Sequence, residues 1–219
     1  MKINHRITDK KFTIICFYTL DNIYSEEVKR LQKTIDLFNL DYYIEGLPSL
    51  GDWKQATDYK ATFIQRALRR VTTPVVFVDA DGEFVDYPLL FDTLTCDIAA
   101  FVNHINNLLS GTLYLANNNK VKNLVDRWIT HNGKNKTLFE QSILQSEIRS
   151  SKNLDFKTLP IGYCQIYNYK FRDDNPVIIH WQASRRTKKI LQSINSDIYK
   201  KLYTSLNKES DILWKEVRK

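Results

Sequence analysis

Val75-Val76-Phe77-Val78-Asp79-Ala80-Asp81-Gly82 is a run of four apolar residues that stops abruptly at two carboxylates. An unbroken apolar run of this length is what a strand covered on both faces requires, so Val75 to Val78 predicts a central strand. Residues two apart on an extended chain project to the same side, so Asp79 and Asp81 converge just past that strand. In an open α/β sheet, ligands bind in the crevice beyond the carboxyl ends of the strands. Two hard oxygen donors on that edge suit Mg2+ or Mn2+, whose charge offsets that of a diphosphate leaving group. The ordinary alternative is a polar Asp-Ala-Asp-Gly turn, and on these residues alone the two readings stand level.

Outward from this stretch, apolar pattern alternates between strand and helix. Lys11 to Leu20 predicts a buried strand. Val28, Leu31, Ile35 and Phe38 recur at three or four residues, predicting a helix from near Ser25 with Glu26 and Glu27 in its first turn. Tyr42 to Ile44 is a short strand. A helix over Ala61 to Arg70 follows, stopped before Pro74. Ile98 to Val102 and Gly111 to Leu115 predict strands, Lys120 to Thr130 and Phe139 to Ile148 helices, and Tyr163 to Tyr169 and Val177 to Trp181 the last strands. Alternation of this kind argues for an α/β fold with helices on both faces of one sheet.

A chain of 219 residues with 43% hydrophobic and 26% charged residues is ordinary globular material, which excludes a disulfide mini-protein and wholesale disorder. Its net charge of +7 is concentrated at one end. Arg185 to Lys219 holds ten Lys/Arg against four Asp/Glu, so the remainder is nearly neutral. Ile190, Ile194, Ile198, Leu202 and Leu206 recur every four residues there, which predicts an amphipathic helix. The expected organisation is a domain over residues 1–186 and a basic C-terminal helical extension, 187–219, packed on it. No apolar run approaches a membrane span and no secretory segment opens the sequence, so a cytoplasmic protein is expected. Cys16, Cys96 and Cys164 lie far apart among apolar neighbours and read as buried free thiols, not as zinc ligands.

Two enzyme classes use Asp-x-Asp after an apolar strand. Haloacid dehalogenase-like phosphatases continue it with Gly-Thr and place it after their first strand; here Gly82-Glu83 follows what reads as the third, and Asp173-Asp174 lies in a polar loop. The nucleotide-diphospho-sugar transferases of GT-A fold offer a closer match. The chain resembles them from about Phe12 to Arg185, in Phe17-Tyr18-Thr19, Gly51-Asp52-Trp53 with Lys60, and Val76 to Asp81. The resemblance continues in Ser110-Gly111-Thr112-Leu113-Tyr114, Trp128, Glu140-Gln141 and Val177 to Arg185. It implies a single Rossmann-like GT-A domain, with a mixed, mostly parallel sheet flanked by helices.

The resemblance further implies that Asp79 and Asp81 bind metal and donor and that His180 completes the ligands, a set suiting Mn2+ better than Mg2+. Tyr18 and Thr19 would meet the nucleotide base, Lys60 and Arg185 the diphosphate, with Ser184 beside Arg185. Trp53 would anchor a loop over the donor, and Gly111 and Thr112 would let backbone approach its sugar. Glu140, with Gln141 after it, would stand near the reacting carbon as base or as charge stabiliser. Each has a plainer reading: a core histidine for His180, strand packing for Tyr18, a solvated helix face for Lys60, a strand entry for Gly111, a helix-start carboxylate for Glu140. The function implied is metal-dependent transfer of a sugar from a nucleotide diphosphate, a UDP-sugar, to an acceptor hydroxyl. That acceptor is a hydroxymethylated pyrimidine in DNA reached through the basic tail, or a cell-surface or lipid-linked glycan. Outside glycosyl transfer stand the phosphatase and a non-catalytic nucleotide-sugar-binding module.

Overall fold

The computed structural model describes residues 2–20, 23–51, 53–135 and 137–183. The chain divides into a unit Met1–Trp181 and a second, Gln182–Lys219, almost all of which lies outside the described residues. The expected basic helix over 187–219 therefore falls outside them too.

Ten strands and four α-helices build the first unit: β1 Lys2–Arg6, β2 Thr13–Thr19, α1 Ile23–Leu37, β3 Asp41–Leu47, α2 Trp53–Arg70, β4 Val75–Val78, β5 Gly82–Phe84, β6 Ile98–Val102, β7 Leu108–Leu115, α3 Asn119–Lys134, α4 Glu140–Ser150, β8 Phe156–Thr158, β9 Gln165–Ile166 and β10 Ile178–His180. Seven strands form one sheet in the order β1-β3-β2-β4-β7-β6-β8, so β4 is its middle strand and all four of its residues are buried. The sheet is mixed. Parallel pairing was expected to predominate, but the β1/β3, β4/β7 and β6/β7 pairs are antiparallel and β2/β3, β2/β4 and β6/β8 parallel. The departures have local causes: β6 and β7 are joined by a short hairpin, and β1 runs back along β3 at the edge.

Burial on both faces explains the apolar runs. Alternate residues of β2 and β4 feed opposite cores: Ile15, Val75 and Phe77 pack with α2, α3 and α4, whereas Ile14, Cys16, Val76 and Val78 pack with α1. The helices start and stop for readable reasons. Asn118 caps α3 by accepting from the Val121 amide at 3.0 Å, and Val121, Leu124, Val125 and Trp128 form its buried stripe. α2 begins eight residues before the expected Ala61, because Trp53–Lys60 is held by polar pairs such as Lys54 to Asp58 instead of an apolar face. Tyr163 to Tyr169 is not one strand; a 3-10 turn over Ile161–Tyr163 precedes the two-residue β9. β5, β10 and β9 make a second, three-stranded sheet. The three cysteines are free and buried, as expected.

Candidate active site at the end of the central strand

The chain turns as soon as β4 ends. The Gly82 amide donates to the Asp79 carbonyl at 2.8 Å and the Asp79 amide to the Gly111 carbonyl at 2.9 Å, so Asp79 is tied to β7 and β5 folds straight back. A Cβ at Gly82 would lie 2.4 Å from Val78 Cγ1, which is why glycine occupies the turn. β5 pairs with β10 so that Gly82 faces His180, and the Trp181 amide donates to the Asp81 carbonyl at 3.0 Å. The polar turn is thus present, and it is compatible with the ligand reading of these residues. The turn is what brings His180 to the carboxylates.

Asp79, Asp81 and His180 each offer one ligand atom, and these atoms lie within 4.8 Å of one another. His180 Nδ1 is 3.5 Å from Asp81 Oδ1, and its Nε2 is 2.8 Å from Thr112 Oγ1. In the neutral ring with Nε2–H donating to Thr112, Nδ1 would turn a lone pair toward the aspartates, as a cation displacing the ring proton requires. Asp81 and His180 are enclosed, whereas the Asp79 side chain is 40% exposed, so the triad opens to solvent on that side. Burial alone would push the His180 pKa down, but Cys164 and Asp81 beside it carry it up to about 10. The Asp79 carboxyl, its Oδ1 turned inward to Lys60, is held above the ordinary aspartate value: enclosure on that inner side raises it, Lys60 pulls it down and Asp81 adds to the rise. An imidazole and two carboxylates that favour a shared positive charge are a donor set a divalent cation fits. Three protein ligands leave positions for donor oxygens and water.

Behind the triad, Lys60 of α2 is buried. Its Nζ donates to Ser110 Oγ at 2.9 Å and to the Ser110 carbonyl at 3.1 Å, and lies 3.1 Å from both Asp79 Oδ1 and Glu140 Oε1. Burial works against its charge, but Asp79 and Glu140 raise its pKa above the ordinary lysine value. Glu140 is also buried. Its Oε1 accepts from Ser110 Oγ at 2.6 Å, its Oε2 from the Gln141 amide, and its carbonyl from Trp128 Nε1 at 2.9 Å. Asp79, Lys60, Ser110 and Glu140 are therefore one connected network joining the candidate metal cluster to the start of α4.

No protein-family model and no curated protein matches the chain by sequence. Solved structures match it by shape. One is a glycosyltransferase involved in glycosylation of the major capsid of PBCV-1, with a TM-score of 0.60 at 11% identity over 81% of this chain and 95% of that one. This is a GT-A-like fold. The WbbM bifunctional glycosyltransferase gives 0.59 at 14% identity over 81% of this chain and 47% of its own. GlyE of Streptococcus pneumoniae TIGR4 gives 0.59 at 13% identity over 92% and 64%. The chain thus spans nearly all of the first but under two thirds of the other two, and at these identities the likeness establishes the fold.

Within that fold the remaining expected residues take different places. Gly111 and Thr112 stand at the triad: a Cβ on Gly111 would come within 3.1 Å of His180 Cε1 and 3.4 Å of Asp79 Oδ2. Tyr18 and Thr19 lie at the end of β2, and the Tyr18 ring is buried over Gly46, where an added Cβ would sit 2.8 Å from its hydroxyl. Packing, not an open stacking face, occupies that ring. Lys60 is likewise no solvated helix residue, and its ammonium is committed to Asp79, Glu140 and Ser110. Gln141 is half-buried beside Glu140. The Trp53 side chain, Ser184 and Arg185 lie outside the described residues. Ser110 and Cys164 enter the site without a role expected of them there: Ser110 stands in the sequence only as the start of the Ser110-Gly111-Thr112 segment, and Cys164 only as a buried free thiol. Asp173 serves a turn instead of the site: its amide donates to Gln165 Oε1 and its carboxylate accepts from the Asn175 amide.

Proposed function

We propose that the protein is a metal-dependent glycosyltransferase that moves a sugar from a nucleotide diphosphate, a UDP-sugar, to an acceptor hydroxyl. The observation that carries this reading is the convergence of Asp79, Asp81 and His180 at the carboxyl end of the middle strand of a GT-A-like fold. Bound by those three residues, Mn2+ or Mg2+ supplies the charge that stabilises a departing diphosphate. The histidine favours Mn2+. Gly111 leaves room beside the triad for a donor group that any side chain would displace. Thr112 holds the His180 ring in the orientation that ligation needs. Lys60 fixes Asp79 and Glu140 relative to each other. With its oxygens engaged by Ser110, Lys60 and the Gln141 amide, Glu140 is better suited to orient the donor sugar and stabilise positive charge there than to act as a free base. A cytoplasmic location belongs to the same reading, with all three cysteines as free thiols.

The test is a screen of UDP-, GDP- and dTDP-hexoses and pentoses with Mn2+ and with Mg2+, reading thermal shift and donor hydrolysis together. A metal-dependent shift with at least one UDP-sugar is expected. In Asp81→Asn that shift should disappear while the unfolding temperature without ligand is kept. A folded Asp81→Asn protein with unchanged donor affinity and metal dependence would sink the site assignment. Binding without hydrolysis or transfer would return the protein to a binding module, and release of phosphate from monoesters to the phosphatase reading. The DNA acceptor rests on the basic tail, which lies outside the described residues.

A further inference from the structure

His104, Tyr169 and Phe171 gather three rings on one surface. The His104 and Phe171 centroids are 4.9 Å apart at 58°, those of Tyr169 and Phe171 5.8 Å at 63°, and Tyr169 Oη is 2.9 Å from His104 Nδ1. Phe171 is nevertheless 48% exposed and His104 is exposed. A packed aromatic group left open to water gives up the burial that normally holds such rings.

Its position follows from the strands. β7 runs antiparallel to β4 with Thr112 opposite Val78, so Leu108 to Gly111 and the hairpin that carries His104 project past the end of β4, on the aspartates' side. At roughly 3.3 Å per residue, Leu108 stands about 13 Å above Thr112. Gln145 of α4 holds this hairpin, accepting from the Leu108 amide at 3.3 Å and donating to the Asn106 carbonyl at 2.6 Å. From the other side, Ile166 of β9 pairs with His180, the Tyr167 amide donates to the His180 carbonyl at 3.1 Å, and the Tyr167 ring stacks on Trp181 at 5.3 Å. The loop carrying Tyr169 and Phe171 therefore leaves from β9, the strand paired with the His180 strand β10.

We propose that His104, Tyr169 and Phe171 form the acceptor platform, stacking on the apolar CH face of a sugar ring of a neutral glycan and presenting its hydroxyl to the donor site. The proposal rests on the transferase reading above and names its acceptor class. Charge selects a neutral sugar over a nucleic acid. Lys170 lies with its ammonium 6.0 Å from the Phe171 centroid, Arg172 donates to the Tyr169 carbonyl at 3.2 Å and Arg149 to the Asn106 carbonyl at 3.3 Å. With Asp173 and Asp174 in the same loop the surface carries little net charge, and the hairpin adds the amides Asn103, Asn106 and Asn107. A polyanion would need an excess of cations there. Amides beside an aromatic face instead match a ring with hydroxyls on its rim.

The full chain is tested with methyl β-D-glucopyranoside, methyl β-D-galactopyranoside and methyl α-D-mannopyranoside in the presence of UDP and Mn2+, using saturation-transfer NMR. The UDP·Mn2+ thermal shift serves as the donor-site control. At least one glycoside should bind the wild type. Phe171→Ala should raise its dissociation constant roughly tenfold, Phe171→Trp should restore it, and the UDP·Mn2+ shift should be the same in all three. The platform is overturned if the wild type binds none of the glycosides, or if Phe171→Ala binds them equally well. It is also overturned if an oligonucleotide bearing 5-hydroxymethylcytosine, and not a glycoside, is the ligand whose binding depends on Phe171. Absence of any UDP·Mn2+ shift in the wild type overturns the transferase reading and the platform with it. An intact shift with glycoside binding indifferent to Phe171 removes the platform alone.

Discussion

A lysine enclosed by two carboxylates and a serine is costly to bury and stable only while all partners are present. Lys60 meets that condition through residues far along the chain: Asp79 after β4, Ser110 in β7 and Glu140 at the start of α4. Lys60→Met should destabilise the protein by about 3 kcal/mol in urea denaturation, because Asp79 and Glu140 then face each other without a cation. Adding Glu140→Gln to that variant should recover part of the loss; if the double variant is less stable than the single, the shared-cation account fails. The same distances explain why Lys60 was read as a solvated residue or a phosphate ligand. Lys54, Gln55 and Asp58 make its stretch of α2 polar, and nothing local distinguishes Lys60 from them. Asp79 and Asp81, by contrast, were legible because strand geometry alone sends both to one side. His180 needed the wider resemblance, since its place beside Asp81 depends on β5 pairing with β10.

Elements were readable in proportion to how completely they are buried. β2, β4 and β6 announce themselves as apolar runs, but β1, Lys-Ile-Asn-His-Arg, and β8, Phe-Lys-Thr, lie at the two edges, where one side of the ladder meets solvent and polar residues are admitted. What attaches β8 is also polar. Asp97, at the entry to β6, accepts from the Asp155 amide at 2.8 Å, Asn118 Nδ2 at 2.8 Å and Lys120 Nζ at 3.2 Å, joining β6, β8 and the start of α3. Burial would raise its pKa, but these donors prevail and hold it below the ordinary aspartate value. A carboxylate with a lowered folded pKa contributes stability that is complete above its unfolded value and fades as pH falls through the folded one. Asp97→Ala should therefore cost about 2 kcal/mol at pH 7, and the deficit should narrow below about pH 4, measured by urea denaturation across that range. A deficit independent of pH would mean that the charge of Asp97 contributes nothing to the joint.

At the scale of the whole molecule, the uneven charge bears on encounter with other molecules, not on the chemistry at Asp81. The sequence up to Ser184 is nearly neutral, and the excess lies in Arg185 to Lys219. Charges in such a segment attract any polyanion in a way that reports little on which acceptor the proposed transferase would use. Replacing Lys188, Lys189, Lys200 and Lys201 with glutamine should lower the slope of log K against log salt for duplex DNA by up to about 3.6. Donor hydrolysis and the UDP·Mn2+ thermal shift should stay as in the wild type, because the proposed donor cluster is built from α2, the β4 turn, β7, α4 and β10. If hydrolysis falls along with DNA binding, the basic segment takes part in the donor site and the division of labour drawn at residue 186 is wrong.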